Sequence, residues 1–381
     1  MTRVGEWRRR GKARVRRHAA ADDARPKARF LGFSRLSANR CDTCYGKWWD
    51  GDSPPGMKQQ LESQHADDGD ARPGPVPWDP SRPLFESPLV GIGTMRMSPG
   101  HSEMNRDRVA YVWPTVSFPR LPYSIRFDRE DAVQGDRNTA VLTSVGSVMR
   151  RTGMTDRGID NVWLDVHPNV LADMISAATG SSRDPDARFP WRYTPLPTAP
   201  LLAVTRLAAR VRQQGGTPAM ASPPDPARSK QAGGPKSLEI EETILGAIAA
   251  TVKAAATAHA PTRRRPPSVA QAKFHREAID EVRRRLAVAP EDRHSLTQLA
   301  AAVHVSPFHL CRLFKRHTGV PIHRYLERLR LRAAMVDAVE TRSRMLDIAL
   351  RHGFCSESHL SNAFLKEFGQ RPSDVRCRKI A

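Results

Sequence analysis

Toward the end of the chain, apolar residues recur at helical spacing, and they do so in two copies. The stretches are "VSPFHLCRLFKRHTG", from Val305, and "FCSESHLSNAFLKEFG", from Phe354. Ser306, His309, Leu310, Phe314 and Gly319 match Ser356, His359, Leu360, Phe364 and Gly369 at a constant offset of 50. Upstream, Leu299-Ala300 matches Ile348-Ala349 at an offset of 49, so the second copy carries one extra residue in its turn. Each copy predicts a short apolar helix, a tight turn, a serine N-cap, and a second helix ended by glycine. Two copies are too few for a solenoid, so a duplicated supersecondary unit remains. Between them Ile322, Leu326, Leu329, Ala333 and Val336 form a helical stripe behind Pro321, a residue suited to a first helical turn.

The texture differs from Pro88 to about Asp165. "PLVGIGTMRMSPG", "VAYVWPTVSF", "YSIRFD", "AVLTSVGSVMRR" and "VWLDVH" are short, β-branched and aromatic segments punctuated by Gly, Pro, Asp and Asn. That spacing predicts a small antiparallel sandwich or barrel. Helices follow. "PNVLADMISAAT" comes after His167, and "APLLAVTRLAARVRQ" puts Leu201, Val204, Leu207, Ala208 and Val211 on one face. "SLEIEETILGAIAATVKAAATA" carries Ser237 as an N-cap candidate and Ile240, Ile244, Leu245, Ile248 and Val252 as a stripe. That stripe predicts either a cover for the sheet or a homodimer seam.

The rest of the chain is poorer in apolar surface. Residues 1–85 hold "RRRGKARVRR" and "DDGDARPGPVPWDPSRP", too polar and Pro-rich to offset ordering entropy, and are expected to be a disordered tail. The organisation expected is a tail (1–85), a β-rich domain with appended helices (86–260), a linker (261–272) and an all-helical domain (273–381). The fold class is α+β multidomain.

Charge changes this picture most. The 381 residues carry a formal +21. Residues 261–381 hold 24 Lys+Arg against 12 Asp+Glu, and residues 1–56 hold 14 against 6, leaving the centre nearly neutral. Two basic ends favour a polyanionic partner, nucleic acid before membrane surface. The five cysteines, 41, 44, 311, 355 and 377, are odd in number, and the last three sit in helical patterns. They do not form a disulfide framework, and a reducing compartment fits. No apolar run approaches 18 residues, and no apolar segment follows the basic start, so neither a membrane span nor a secretory signal is expected. Cys41 and Cys44 form one CxxC without the further ligands of a structural zinc site.

A short helix, a tight turn and a second helix make a helix-turn-helix, whose second helix enters the major groove. In the first copy the face opposite Leu310, Leu313 and Phe314 carries Phe308, Cys311, Arg312 and Lys315. In the second it carries Glu357, Ser358, Ser361 and Asn362. Arg312 has the fork to contact guanine and Asn362 the amide to contact adenine. The capping Ser306 and Ser356, with nearby cations, suit phosphates. The competing reading, a helical bundle with a basic solvated face, does not explain the duplication.

These residues resemble a known family. "LAAAVHVSPFHLCRLFKRHTGVPIHRYLERLRL" and "IALRHGFCSESHLSNAFLKEFGQRPSDVR" make 273–381 similar to the DNA-binding domain of AraC/XylS-type transcriptional regulators. The resemblance implies two helix-turn-helix units joined by a long helix, so that one chain reads two adjacent major-groove segments. Asn362 stands where the family usually has arginine, and His304 where glycine is common. The centre, through "VSFPRLPYSIRFD", "SVMRR" and "DNVWLDVHP", resembles the family's cupin-like sensor domain. Of the His-rich motif of cupin metalloenzymes, "GHSEM" offers only His101 and Glu103. The resemblance implies a cytoplasmic regulator without chemistry or cofactor of its own. Its partners would be double-stranded DNA, RNA polymerase, a small-molecule effector at the centre and a second copy of the chain. The alternatives are a cupin-type metalloenzyme, a DNA-repair protein needing four cysteine ligands, and a non-specific architectural DNA-binding protein.

Overall fold

The computed structural model describes residues 82–376, apart from 103, 110–112, 129, 185, 187, 215–234 and 261–267. Cys41, Cys44, Cys377, Glu103 and the tail up to residue 81 therefore lie outside the described residues.

Ten short strands form two antiparallel sheets. β1 (Arg82–Glu86), β2 (Val90–Met97), β9 (Ile159–Val166), β4 (Thr115–Pro119), β7 (Thr139–Thr143) and β10 (Tyr193–Pro195) lie side by side in that order. β3 (Asp107–Val109), β8 (Val148–Gly153), β5 (Tyr123–Phe127) and β6 (Val133–Gly135) make the second sheet. Two stacked antiparallel sheets give the cupin-like layout. The larger sheet is buried on both faces, and the side-chain alternation shows how. Val141 points to a core with Met95, Tyr123, Ile125 and Phe127 between the sheets. Its neighbours Ala140 and Leu142, with Val116, Phe118, Val162 and Leu164, point the other way, onto helices. At the start of β9, Gly158 has φ +76°, and a Cβ there would come within 1.9 Å of the Met97 carbonyl oxygen, so only glycine fits.

Three helices cover the outer face: α1 (Pro168–Thr179), α2 (Thr198–Gln213) and α3 (Pro235–Ala258). The helix expected to begin after Ser237, at Leu238, begins three residues earlier. Pro235, pre-set for a first turn, starts it, and Ser237 sits inside. The Ile240, Ile244, Ile248 and Val252 stripe is buried within the chain, with Ile244, Ile248 and Val252 wholly inaccessible. Of the two roles expected for it, cover and dimer seam, this chain uses it as cover.

The last segment is helical: α4 (Val269–Val288), α5 (Leu296–Ala302), α6 (Pro307–Thr318), α7 (Ile322–Glu340), α8 (Met345–Arg351) and α9 (Glu357–Phe368). α4 is capped by Ser268, whose side chain accepts from Gln271 N. Residues 303–306 join α5 to α6, and 352–356 join α8 to α9, which is the extra residue of the second copy. Both turns pass through a left-handed residue, His304 (φ 55°) and Gly353 (φ 75°), at equivalent positions.

The sandwich and the helical segment are packed together through a buried polar seam. Arg283 of α4 donates to Asp136 (3.1 Å), to Thr139 Oγ1 (2.8 Å) and to the Gln134 carbonyl (3.2 Å). Tyr325 of α7 donates to the same Asp136 oxygen at 2.6 Å, and Asn138 Nδ2 donates to the Tyr325 carbonyl at 2.9 Å. Arg332 donates to the carbonyls of Arg137 (2.7 Å) and Leu196 (2.8 Å). Glu340 accepts from Arg120 and Arg212, and the two guanidinium groups hold its carboxyl below the usual range against burial, which alone would raise it. Apolar packing continues across the seam. The core beneath α2 and α3 runs without a break into Leu331, Met335, Ile348, Leu360 and Phe364. The first repeat unit keeps a separate core around Val282, Leu286, Leu310, Phe314 and Leu329.

Candidate nucleic-acid interface

Two helices present the residues singled out from sequence, and each is held at both ends. Ser306 Oγ accepts from His309 N at 3.2 Å, Pro307 opens α6, and Gly319 closes it at φ 77°. Ser356 Oγ accepts from His359 N at 3.1 Å, and Gly369 closes α9 at φ 70°. Each cap satisfies a backbone donor that the helix leaves open, worth about 1 kcal/mol. Leu310, Leu313 and Phe314 anchor α6, while Leu360, Ala363, Phe364 and Phe368 anchor α9.

The outward faces match the expectation with one exception. Phe308, Cys311, Arg312 and Lys315 are exposed on α6. Glu357, Ser358 and Asn362 are exposed on α9, whereas Ser361 is half-buried. Arg312 lies over the ring of Phe308, 5.7 Å from its centroid. That cation–π contact narrows the rotamers open to the guanidinium. Among the described residues Arg312 and Lys315 form no ion pair, and their polar heads remain available. Lys315, Arg316 and His317 fill the last turn of α6, where the helix dipole favours cations; Glu357 sits in the first turn of α9, where it favours anions. Cys355 Sγ lies 3.2 Å from His359 Nδ1 beside the second cap. Behind α6, His275 of α4 is buried and its ring faces His309 and His317 at 5.9 and 6.2 Å. Burial, then the charges of His317, His309 and Arg316, hold its pKa below the usual value.

Sequence reading missed Glu367, on the inner side of α9. Its carboxylate accepts from Thr198 Oγ1 of α2 (2.8 Å) and Arg324 (2.6 Å) and pairs with Arg328 (3.2 Å). Arg332 lies 3.9 Å away. The signal was present: Arg324, Arg328 and Arg332 are spaced four apart along one face of α7. Among the described residues no group of three or more His, Cys, Asp or Glu could hold a metal, and no helix is long and apolar enough to cross a membrane.

Two capped helix-turn-helix units, joined by α7 and exposing arginine, lysine and asparagine, define a nucleic-acid-binding module. Residues 299–378 match the family described as "Helix-turn-helix domain". In this segment the chain is similar to the DNA-binding domains of AraC/XylS-type regulators. The chain is 31% identical over 87 residues to the HTH-type transcriptional regulator MtrA of Neisseria gonorrhoeae, covering 23% of this chain and 29% of that protein. It is 31% identical over 85 residues to the bifunctional transcriptional activator/DNA repair enzyme AdaA of Bacillus subtilis, covering 22% and 40%. Among solved structures, a transcriptional regulator with an AraC-type DNA-binding domain from Chromobacterium violaceum aligns at 27% identity and TM-score 0.25, covering 30% of this chain and 97% of that one. The match to these curated relatives spans well under two thirds of their own length.

Proposed function

We propose that the chain is a sequence-specific DNA-binding transcriptional regulator whose β-rich domain governs a double helix-turn-helix reader. The observation that carries the reading is the pair of serine-capped helices with Arg312 and Asn362 exposed at matching faces. Arg312 reads guanine through its two-pronged fork, and Asn362 reads adenine through its amide. Lys315, the hydroxyls of Ser306, Ser356 and Ser358, and the amides of the two first turns hold phosphates and set the register. Phe308 and Cys311 supply apolar contact. Ser361, half-buried, packs beside the reading face, and Glu357 accepts from a cytosine amino group.

In this reading the chain occupies a promoter site in the cytoplasm, contacts RNA polymerase, responds to a small molecule, and performs no reaction itself. The repair alternative needs four cysteine ligands ahead of the helical part, where the sequence has only Cys41 and Cys44. A homodimer, if formed, uses a surface other than the α3 stripe, which the chain itself covers.

The test is selection of bound DNA from a random pool with the purified full chain. The expected result is one enriched motif spanning two adjacent groove segments. Steeply salt-dependent binding with no enriched motif would support an architectural protein instead.

A further inference from the structure

The two reading helices are held in different ways. Leu360, Ala363, Phe364 and Phe368 of α9 belong to one continuous core with Leu201 of α2 and Val162 of the larger sheet. Leu310, Leu313 and Phe314 of α6 belong to a separate core drawn from α4 to α7. The polar seam engages the first unit through α4 and α7, whose Arg283 and Tyr325 meet Asp136. The second unit is engaged through its reading helix itself. Glu367, in the last turn of α9, has its side chain 3% exposed and accepts from Thr198 Oγ1, on the first residue of α2, at 2.8 Å. Arg324 and Arg328 of α7 pair with the same carboxylate at 2.6 and 3.2 Å, so turning it away from Thr198 would break those pairs too. Arg332 donates to the Leu196 carbonyl and to Thr198 Oγ1, where β10 runs into α2.

We propose that Glu367 is a positioning residue: through it the sandwich sets the placement of α9, and with it the aim of Asn362, while α6 stands on the first unit's own core. Asn362 is exposed, and it precedes Glu367 by about 7.5 Å along the helix axis. Its amide must meet a base edge within about 0.5 Å, so an anchor near the far end of α9 decides whether it does. A movement of α2 therefore changes what α9 reads and leaves the reading of α6 intact. The consequence for base reading rests on the regulator reading; the tether between α2 and α9 does not.

The experiment compares the full chain with its Glu367→Gln, Thr198→Val and Thr198→Ser variants by DNA selection and by hydrogen exchange. Glutamine keeps the shape of the anchor and loses its charge; valine removes only the hydroxyl donor, and serine restores it. Glu367→Gln and Thr198→Val are expected to lower discrimination by at least about threefold at the positions that Asn362→Ala relaxes, and by less than about twofold at those that Arg312→Ala relaxes. Thr198→Ser should read as wild type. A purely structural role for Glu367 gives an equal loss at both sets of positions. That result, no loss at either set, or a Thr198→Ser as impaired as Thr198→Val overturns the proposal. If Glu367→Gln fails to fold by far-UV circular dichroism, the two Thr198 variants decide. Hydrogen exchange is read without DNA: in Glu367→Gln and Thr198→Val the α9 amides should exchange at least about threefold faster, with the α6 amides within about twofold of wild type. Equal acceleration of both helices, or none, overturns the tether. If the wild type enriches no motif, or Asn362→Ala relaxes none of it, the claim about base reading falls and exchange alone decides the tether.

Discussion

Asp136→Asn should loosen the docking of the sandwich on the helical segment. Asp136 is 1% exposed at its side chain and Arg283 9%. The carboxylate accepts from Arg283 Nη2, Tyr325 Oη and the amide of Asn138. These partners draw on both of its oxygens. An asparagine has one oxygen, so its NH2 must face a donor whichever way it turns. The substitution also leaves Arg283 with Asp280 as its remaining carboxylate partner, at 3.1 Å. Breaking a buried pair by removing one member costs about 3–5 kcal/mol, and the surviving Asp280 contact places this case near 3. The assay is native-state hydrogen exchange of the α4 and β6 amides. A loss of about 3 kcal/mol in opening free energy accelerates exchange roughly 10²-fold. Adding Arg283→Met removes the stranded charge and should recover part of the loss. Exchange within about fivefold of wild type in Asp136→Asn would refute the assignment of this network as what holds the sandwich to the helical segment.

Other outcomes follow from single positions. His304 holds a left-handed conformation that favours glycine, so His304→Gly should stabilise the chain by about 1 kcal/mol in urea unfolding, whereas Gly353→Ala should destabilise it because a Cβ there meets the Glu291 carbonyl oxygen at 3.0 Å. Ile244→Glu puts a carboxylate at a wholly inaccessible site and should unfold or severely destabilise the chain, rather than yield a folded monomer; circular dichroism and sedimentation distinguish the two. Burial pushes the Asp165 carboxyl up to about 7, partly offset by the hydrogen bond from Thr115 (2.6 Å). A folded pKa above the ordinary 3.8 means that the native state holds the proton longer than the unfolded state. Stability from this group therefore falls as pH rises from about 4 to 7 and is flat above; Asp165→Asn should remove that slope and raise stability at pH 8 by no more than about 4 kcal/mol.

The reading helices were legible because three local signals agree at each: an apolar stripe, a serine cap and a closing glycine. The extra turn residue of the second copy was visible as a change of offset, and the structure places it in 352–356. The partner of a stripe is less legible than the stripe. Ile240, Ile244, Ile248 and Val252 announce a buried face, but not whether a sheet or a second chain covers it. β6 and β10 are three residues each, too short to show alternation, and β1 hides behind a Pro-rich run. The seam was hidden for another reason. In "VRRRL" three arginines look alike, yet Arg284 and Arg285 are exposed and pair with Glu281, while Arg283 alone turns inward to Asp136. Only the packing of α4 on the sandwich distinguishes them.

The central claim is that two helices read sequence, and paired titrations test it directly. The selected DNA site and a scrambled duplex would be bound by wild type, Arg312→Ala, Asn362→Ala and Lys315→Ala at one salt concentration. The account predicts a loss of about 1–3 kcal/mol on the selected site for Arg312→Ala and for Asn362→Ala, each relaxing a different position, with little change on the scrambled duplex. Lys315→Ala should weaken both duplexes alike and shallow the salt dependence. Equal losses on selected and scrambled DNA for Arg312→Ala and Asn362→Ala would contradict it.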